Sequence, residues 1–369
     1  MQNPSFLTSS TGMESVTILF NDDSAQDDSE PPPSEAEAEV VDVALEIRAV
    51  LEAADISVGL APVRRWDAVE QSRLLATSGR VVFNLVESIS RDPRREAEAA
   101  EWMEFNQLLY TGNAPRALRL CAAKHLARRR LLAHQLPVPL GFVVEHPDVI
   151  PHEFPGALDY PLFVKPALAD ASVGISQQSI VFNRKQLVDR VEAVWTEVPG
   201  PVMVEEYLPG PELNIAFAPN PWDGEGVATA IEFSFPDGFA PIVSYNCKWV
   251  EGTPEYAARS VPAHNIAERA VVDKARRLAR AAFLALGATS YGRVDLRVDK
   301  RGELRLMDVN PNCDLHPTAG LALAMESIGV SYPALVLSIL AGAITREKNA
   351  SSTYRSTRSR TIGSAIEAY

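Results

Sequence analysis

Residues 291–312, YGRVDLRVDKRGELRLMDVNPN, hold the densest run of chemistry in the chain. Asp299, Lys300, Arg301 and Gly302 form a turn signal between two alternating apolar and polar runs, which predicts a β-hairpin. With all four residues in the turn, Arg293 falls opposite Asp308, and Asp295 and Asn310 share their face. Two carboxylates, an amide oxygen and a guanidinium then converge. Hard oxygen ligands without His or Cys suit Mg²⁺, which keeps substrate phosphates and water as its other ligands. The other reading of such a face is a solvated surface carrying ordinary ion pairs.

Cations lie upstream of the hairpin. Lys165 ends the apolar run YPLFVKP and precedes ALADASVGI, small residues whose backbone amides could cover phosphates. A strand-end Lys can equally snorkel to water. Lys124 belongs to a basic helical segment. Lys248 lies in the long polar stretch SYNCKWVEGTPEYAARSVPAH, of the kind that either closes over a reaction or stays disordered. In VEEYLPGPE an extended segment enters a turn at Pro209 and Gly210, where an apolar slot could hold a flat base. Glu205 and Glu212 could then accept from amino or ribose hydroxyl groups. The six His residues lack metal-ligand spacing.

The elements that must position these groups alternate. SVTILF (15–20) reads as a strand, VVDVALEIRAVLEAA as a helix, ISVGLAPV as a strand, WDAVEQSRLLAT as a helix and RVVFNLVES as a buried strand. That order predicts a parallel α/β layer. A single basic helical segment is expected over 116–135, ending in LPVPLGFVV. YPLFVKP, a helix NRKQLVDRVEAVW and a strand PVMVEEY follow, then a strand around IEFSF, a helix over 266–286, the hairpin and a final helix. At roughly 100 to 200 residues per domain, 369 residues predict two or three domains. The expected divisions are an N-terminal α/β domain over 1–118 with an acidic loop at 21–34, blocks over 119–210 and 211–345, and a flexible tail over 346–369.

The composition, 46% hydrophobic and 22% charged, is that of an ordinary globular protein. Its net charge of −13 argues against a phosphate-driven nucleic-acid binder. Nine acids and no Lys or Arg precede residue 41, so the rest of the chain carries only −4. Three widely spaced cysteines fit neither a disulfide framework nor a CxxC site, and neither a secretion signal nor a membrane-length apolar run is present. These features predict a cytoplasmic chain with no membrane partner.

Taken together and in order, LLYTGNAPRALRLCAAKHLARRRLLAHQLPVP, YPLFVKPALADASVGIS, VMVEEYLPGPEL, SYNCKW, YGRVDLRVD and LRLMDVNPN resemble the ATP-grasp carboxylate-amine ligases. The resemblance is closest to the D-alanine–D-alanine ligases and covers about 110–345. It implies an α/β ATP-grasp fold preceded by a Rossmann-like parallel-sheet domain, with ATP and two Mg²⁺ (or Mn²⁺) as cofactors. The implied activity is ADP-forming ligation of two amino acids, or of an amino acid and another carboxylate, through an acyl phosphate. Lys124 and Lys165 would bind the α- and β-phosphates, with Ser172 in the covering loop. Glu205 would meet the adenine amino group, Leu208 the adenine through its backbone, and Glu212 the ribose. Lys248 would reach the γ-phosphate; Asp295, Asp308 and Asn310 would hold the metals; Arg293 would stabilise the oxyanion. Such ligases are often homodimers.

The substrate half departs from the family. LFNDDSAQDDSE stands where a Gly-Gly-x-Ser-x-Glu turn would receive the first amino acid's ammonium, and NLVESISRDPRR replaces a His-Gly-x-x-Gly-Glu-Asp-Gly stretch. Ala171 stands for the loop Ser, Trp249 for the Tyr after the mobile-loop Lys, Ala319 (beside Thr318) for the Ser that receives the second carboxylate, and Asp308 for a metal-bridging Glu. Asp314 occupies a usually small position, where it either touches a cationic substrate group or caps its loop; His316 follows it. Two readings remain at this point. One is a working ligase with altered amino-acid or carboxylate substrates, for which the acidic leader could favour an amine-bearing donor. The other is a degenerate copy that binds nucleotide without ligating.

Overall fold

A computed structural model describes residues 15–22, 35–219 and 226–346; most of the acidic 21–34 segment and the tail beyond Arg346 lie outside them. Three sheets are present. The first has order β2-β1-β3-β4 and is parallel throughout: β1 (Ser15–Asn21), β2 (Ser57–Val63), β3 (Val81–Leu85) and β4 (Leu109–Tyr110). Its strands are joined by α1 (Glu35–Ala53), α2 (Ala68–Thr77) and α3 (Glu96–Phe105). Asp67 caps α2 by accepting from the amides of Val69 and Glu70, so the helix begins where the side chain can take its orphan donors. All five residues of β3 are buried, which is why VVFNL is apolar on both faces apart from the buried Asn84, rather than alternating.

The basic segment expected as one helix is two: α4 (Pro115–Ala122) and α5 (Lys124–Ala133). The break is at Ala123 (φ −109°, ψ 85°), and it frees the Lys124 amide to donate to the Ala167 carbonyl at 2.9 Å. An uninterrupted helix would have spent that amide on its own ladder. The second sheet, β5-β8-β6-β7, is antiparallel: β5 (Gly141–Val144), β6 (Leu162–Pro166), β7 (Ile180–Val181) and β8 (Val202–Glu206). Leu187, Val191 and Val194 of α6 (Arg184–Glu197) cover one of its faces.

The third sheet, β11-β10-β9-β12-β13, comprises β9 (Glu212–Phe217), β10 (Val227–Glu232), β11 (Arg259–Pro262), β12 (Gly292–Val298) and β13 (Leu304–Asn310). The strand expected around IEFSF ends at Glu232, so Phe233–Phe235 lie beyond it. The long polar stretch is ordered into α7 (Tyr245–Trp249), a short 3₁₀ turn and β11, rather than a loop. Ala275, Ala279, Ala282 and Phe283 of α8 (Arg269–Ala285) pack on the sheet, with Phe283 stacked on Phe217 at 4.8 Å between ring centroids. Gly292 opens β12 under that stack: a Cβ there would sit 2.6 Å from the Phe283 ring and 2.7 Å from the Asn310 carbonyl. α9 (Gly320–Glu326) and α10 (332–346) close the chain, and Leu335, Val336, Ile339 and Leu340 join the core of β1 and α1. The first sheet is thereby packed against the end of the third block by shared apolar burial.

Candidate active site

The hairpin differs from its expected register, and the difference builds the site. Gly302 (φ +82°) and the Asp299–Glu303 pairing make a three-residue connection, so Val298 faces Leu304 and Leu296 faces Leu306. Continued unchanged, that register would set Asp308 opposite Val294, on the far face. A bulge at Asp295/Leu296 leaves Met307 without a partner in the ladder and shifts the pairing, so that Asp295 faces Asp308 and Arg293 faces Asn310. Arg293 opposite Asp308 is thus corrected, while the expected convergence on one face stands.

That face forms one wall of a cleft of about 850 Å³, open space included, between the second and third sheets. Lys124, Lys165, Ser172, Glu212, Lys248, Arg293, Asp295, Asp308 and Asn310 all line it. Lys124 Nζ bridges Asp170 (2.7 Å) and Asp308 (2.6 Å), and although burial opposes its charge, the two carboxylates outweigh burial and keep it protonated. Asp308 is held below the usual carboxylate range, burial working against it while Lys124 and Lys165 outweigh burial. Arg293 grips Asp295 through two hydrogen bonds, 2.7 and 2.9 Å, and Asn214 donates to the same carboxylate at 2.7 Å. Burial, reinforced by the nearby Arg293, depresses the Lys248 ammonium. Lys165 pairs with Glu205 at 2.9 Å, inside the protein. Glu205 thus joins the site through Lys165, and Leu208 is buried without its side chain lining the cleft.

Residues 139–341 match the family model described as D-ala D-ala ligase C-terminus. The chain belongs to the D-alanine–D-alanine ligase family. A D-alanine–D-alanine ligase of Chromohalobacter salexigens is 30% identical over 242 residues, spanning 64% of this chain and 70% of the relative. An uncharacterized protein y4sG of Sinorhizobium fredii is 27% identical over 267 residues, 72% of this chain and 75% of the relative. The crystal structure of D-alanine–D-alanine ligase from Bacillus anthracis complexed with ATP matches with a TM-score of 0.69, over 90% of this chain and 98% of that one. At 17% identity that likeness is one of fold: ATP-grasp, with the parallel sheet at the N-terminal end.

Within this ATP-grasp cleft, Asp295, Asp308 and Asn310 offer two carboxylates and an amide oxygen on one wall. Among the described residues no three or more His, Cys, Asp or Glu could hold a metal by themselves. A Mg²⁺ here would complete its octahedron with phosphate oxygens and water, as that ion ordinarily does, so the donor set fits.

Several site residues carry no sequence signal strong enough to single them out. Met307 lines the cleft because it is the bulged residue. Arg297, 4% exposed, donates to the carbonyls of Gly210 (3.2 Å) and Pro241 (2.5 Å), lies 3.9 Å from Glu212 and sits over the Tyr207 and Phe233 rings. It ties the turn after β8 to the approach to α7; its place in the period-2 register with Arg293 and Asp295 is the available signal. Burial raises Glu212, and Arg297 opposes the rise. Asp314 accepts from the His316 amide at 2.7 Å, which is the loop-capping alternative, and His316 bonds Thr318. Ala319 precedes α9, and the following Gly320 approaches the Arg293 guanidinium.

Asn312 links the wall to the first sheet. Its amide donates to Asn310 Oδ1 (2.9 Å), and its side chain donates to the Val86 carbonyl (3.0 Å) and Glu96 (3.1 Å) and accepts from the Tyr291 hydroxyl (2.9 Å). The NLVESISRDPRR segment is therefore built into the site's support. Glu96 is buried; burial and the neighbouring Asp170 push its carboxyl up to about 8, against the Asn312 hydrogen bond and Lys124. A carboxyl raised in the folded state loses its stabilising share as pH climbs from the unfolded value through about 8. Glu96→Gln is accordingly expected to raise the thermal midpoint at pH 8–9 and to leave it nearly unchanged at pH 5. Melts across that range check this, and an equal effect at both ends would refute it.

Proposed function

We propose that the chain is an ATP-dependent, ADP-forming ligase that joins a carboxylate to an amine, with substrates other than a pair of D-alanines. The observation that carries this reading is the single cleft in which Lys124, Lys165, Lys248 and Arg293 face Asp295, Asp308 and Asn310. Such a set answers the electrostatics of phosphoryl transfer to an anion. Lys124 and Lys165 would hold the α- and β-phosphates, Ser172 would lie in the loop over them, and Lys248 would meet the γ-phosphate. Glu205, Leu208 and Glu212 would frame the base and ribose. Asp295, Asp308 and Asn310 would hold two Mg²⁺, which offset the charge of the triphosphate when bound.

In the first step a substrate carboxylate oxygen bonds to the γ-phosphorus as the bond to the ADP oxygen breaks, giving an acyl phosphate and ADP. Lys248 neutralises charge between the two anions. In the second, the amine nitrogen's lone pair attacks the acyl carbon, the acyl C–O bond to phosphate breaks, and the departing phosphate takes up the proton that the nitrogen loses. Arg293, already oriented by Asp295, would stabilise the oxyanion of that step. The altered substrate half supports a different substrate pair: Ala171, Trp249 and Ala319 cannot make the side-chain contacts of the residues they replace.

The test is to incubate the chain with ATP and Mg²⁺ against a panel of amino acids and other carboxylates and measure ADP and phosphate. Stimulated, equimolar release with one pair is the expected result. ATP binding without stimulated release by any acceptor would overturn the ligase reading in favour of a nucleotide-binding copy.

A further inference from the structure

The loop over the cleft contains two consecutive residues in the left-handed region, Ala171 (φ +53°) and Ser172 (φ +62°), at the centre of a turn closed by the Val173 amide on the Asp170 carbonyl at 3.0 Å. A turn with both central residues left-handed ordinarily takes Asn-Gly or Gly-Gly. Ala and Ser adopt it at a cost, so something outside the turn must hold it. The loop is stitched to the 240–249 segment: Ser172 Oγ donates to the Val243 carbonyl (3.0 Å), the Tyr245 amide donates to the Ile175 carbonyl (3.0 Å), and Gln177 exchanges two hydrogen bonds with Ala240. The last stitch falls on the strained turn itself, where Trp249 Nε1 donates to the Ala171 carbonyl at 2.9 Å.

We infer that Trp249 is a positioning residue that latches the covering loop so that the Ser172 amide serves as a phosphate donor. In a planar trans peptide the C=O and N–H point in opposite directions. Fixing the Ala171 carbonyl on Trp249 therefore aims the Ser172 N–H away from the indole. Ala171 and Ser172 both line the cleft, and the Ser172 N–H donates to no protein group among the described residues. Oriented amides of this kind bind anions. Because Trp249 follows Lys248 directly, one short helix sets both a cation and, through its neighbour, an amide. The latch acts on the backbone, so it does not depend on a Ser at 171.

The role assigned to the Ser172 amide rests on the ATP reading above, and two measurements separate the failures. Trp249→Phe keeps the ring and removes the donor. In nucleotide-free protein, hydrogen exchange of a peptide covering 168–176 is expected to accelerate in the variant while β6 and β8 stay protected. Unchanged exchange in that peptide would overturn the latch, whether or not ATP binds. Titrations with ATP, ADP and adenosine, the nucleotides with Mg²⁺, are expected to show affinities for ATP and ADP falling about tenfold and adenosine within about twofold of wild type. Equal loss for all three would mark a merely structural residue and overturn the phosphate role. Failure of the wild-type chain to bind ATP would sink the proposed function and the phosphate role while leaving the exchange result to decide the latch.

Discussion

Lys165→Met is expected to reduce ATP-dependent turnover by at least about a hundredfold, the scale of losing one preorganised donor at developing charge, and to destabilise the fold as well. The two effects have separate causes. Lys165 and Glu205 are both buried and 2.9 Å apart, with Arg128 the next cation at 3.7 Å. Removing the ammonium leaves the buried carboxylate with Arg128 alone, a loss bounded by the about 3–5 kcal/mol typical of a buried charge left with no partner. In the proposed reaction the same substitution leaves the cleft short of one cation beside the triphosphate. Lys165→Met combined with Glu205→Gln takes away the Glu205 charge, so the double variant is expected to recover much of the stability in urea denaturation and none of the turnover. A double variant forming ADP at the wild-type rate would mean that β6 does not deliver its Lys to the nucleotide.

Asp308→Asn is expected to cost about a thousandfold in turnover, since metal-borne charge stabilisation is worth several kcal/mol and each 1.4 kcal/mol is about tenfold. The substitution is nearly isosteric and keeps an oxygen for Lys124, now 2.6 Å away, so the fold should survive. Its signature lies in the metal dependence. With one negative charge gone from beside Lys124 and Lys165, ADP without Mg²⁺ should bind as well or better than to wild type. The Mg²⁺ concentration for half-maximal turnover should rise at least about tenfold, because a neutral amide is a poorer ligand for a hard cation. An unchanged Mg²⁺ midpoint would remove Asp308 from the metal set.

The three-sheet plan is largely legible in the chain. SVTILF, ISVGLAPV and RVVFNLVES lie close to β1, β2 and β3, and the helices around 40–54 and 184–197 are visible as apolar periodicity, because these segments bury a face whichever neighbour covers it. Two differences have a common cause. The basic segment reads as one helix because nothing local stops it: Ala123 is a good helix former, and the break exists so that Lys124 can reach the Ala167 carbonyl and two distant carboxylates. The polar stretch around Lys248 carries no structural signal because α7 has only five residues and is held by contacts to the covering loop rather than by its own periodicity.

The sequence by itself determined the donor types and their order: an Arg-x-Asp strand, a turn, an Asp-x-Asn strand, and three lysines spaced far upstream. In that order, with the motifs around them, these groups carry the resemblance to the ligase family. Only the tertiary structure decided how they meet. A hairpin counted from its turn residues sets Arg293 against Asp308, yet the real connection is one residue shorter and a bulge at Met307 restores the shared face. The bulge marks the chain only as a one-residue phase shift, Leu304 and Leu306 buried and then Val309, which a count from the turn residues passes over. The roles of Arg297, Asn312, Glu96 and Trp249 likewise rest on partners distant in the chain, such as Pro241, 56 residues from Arg297, and Val86, 226 from Asn312. Long-range hydrogen bonds are set by where folded surfaces come together, and no short-range pattern encodes that.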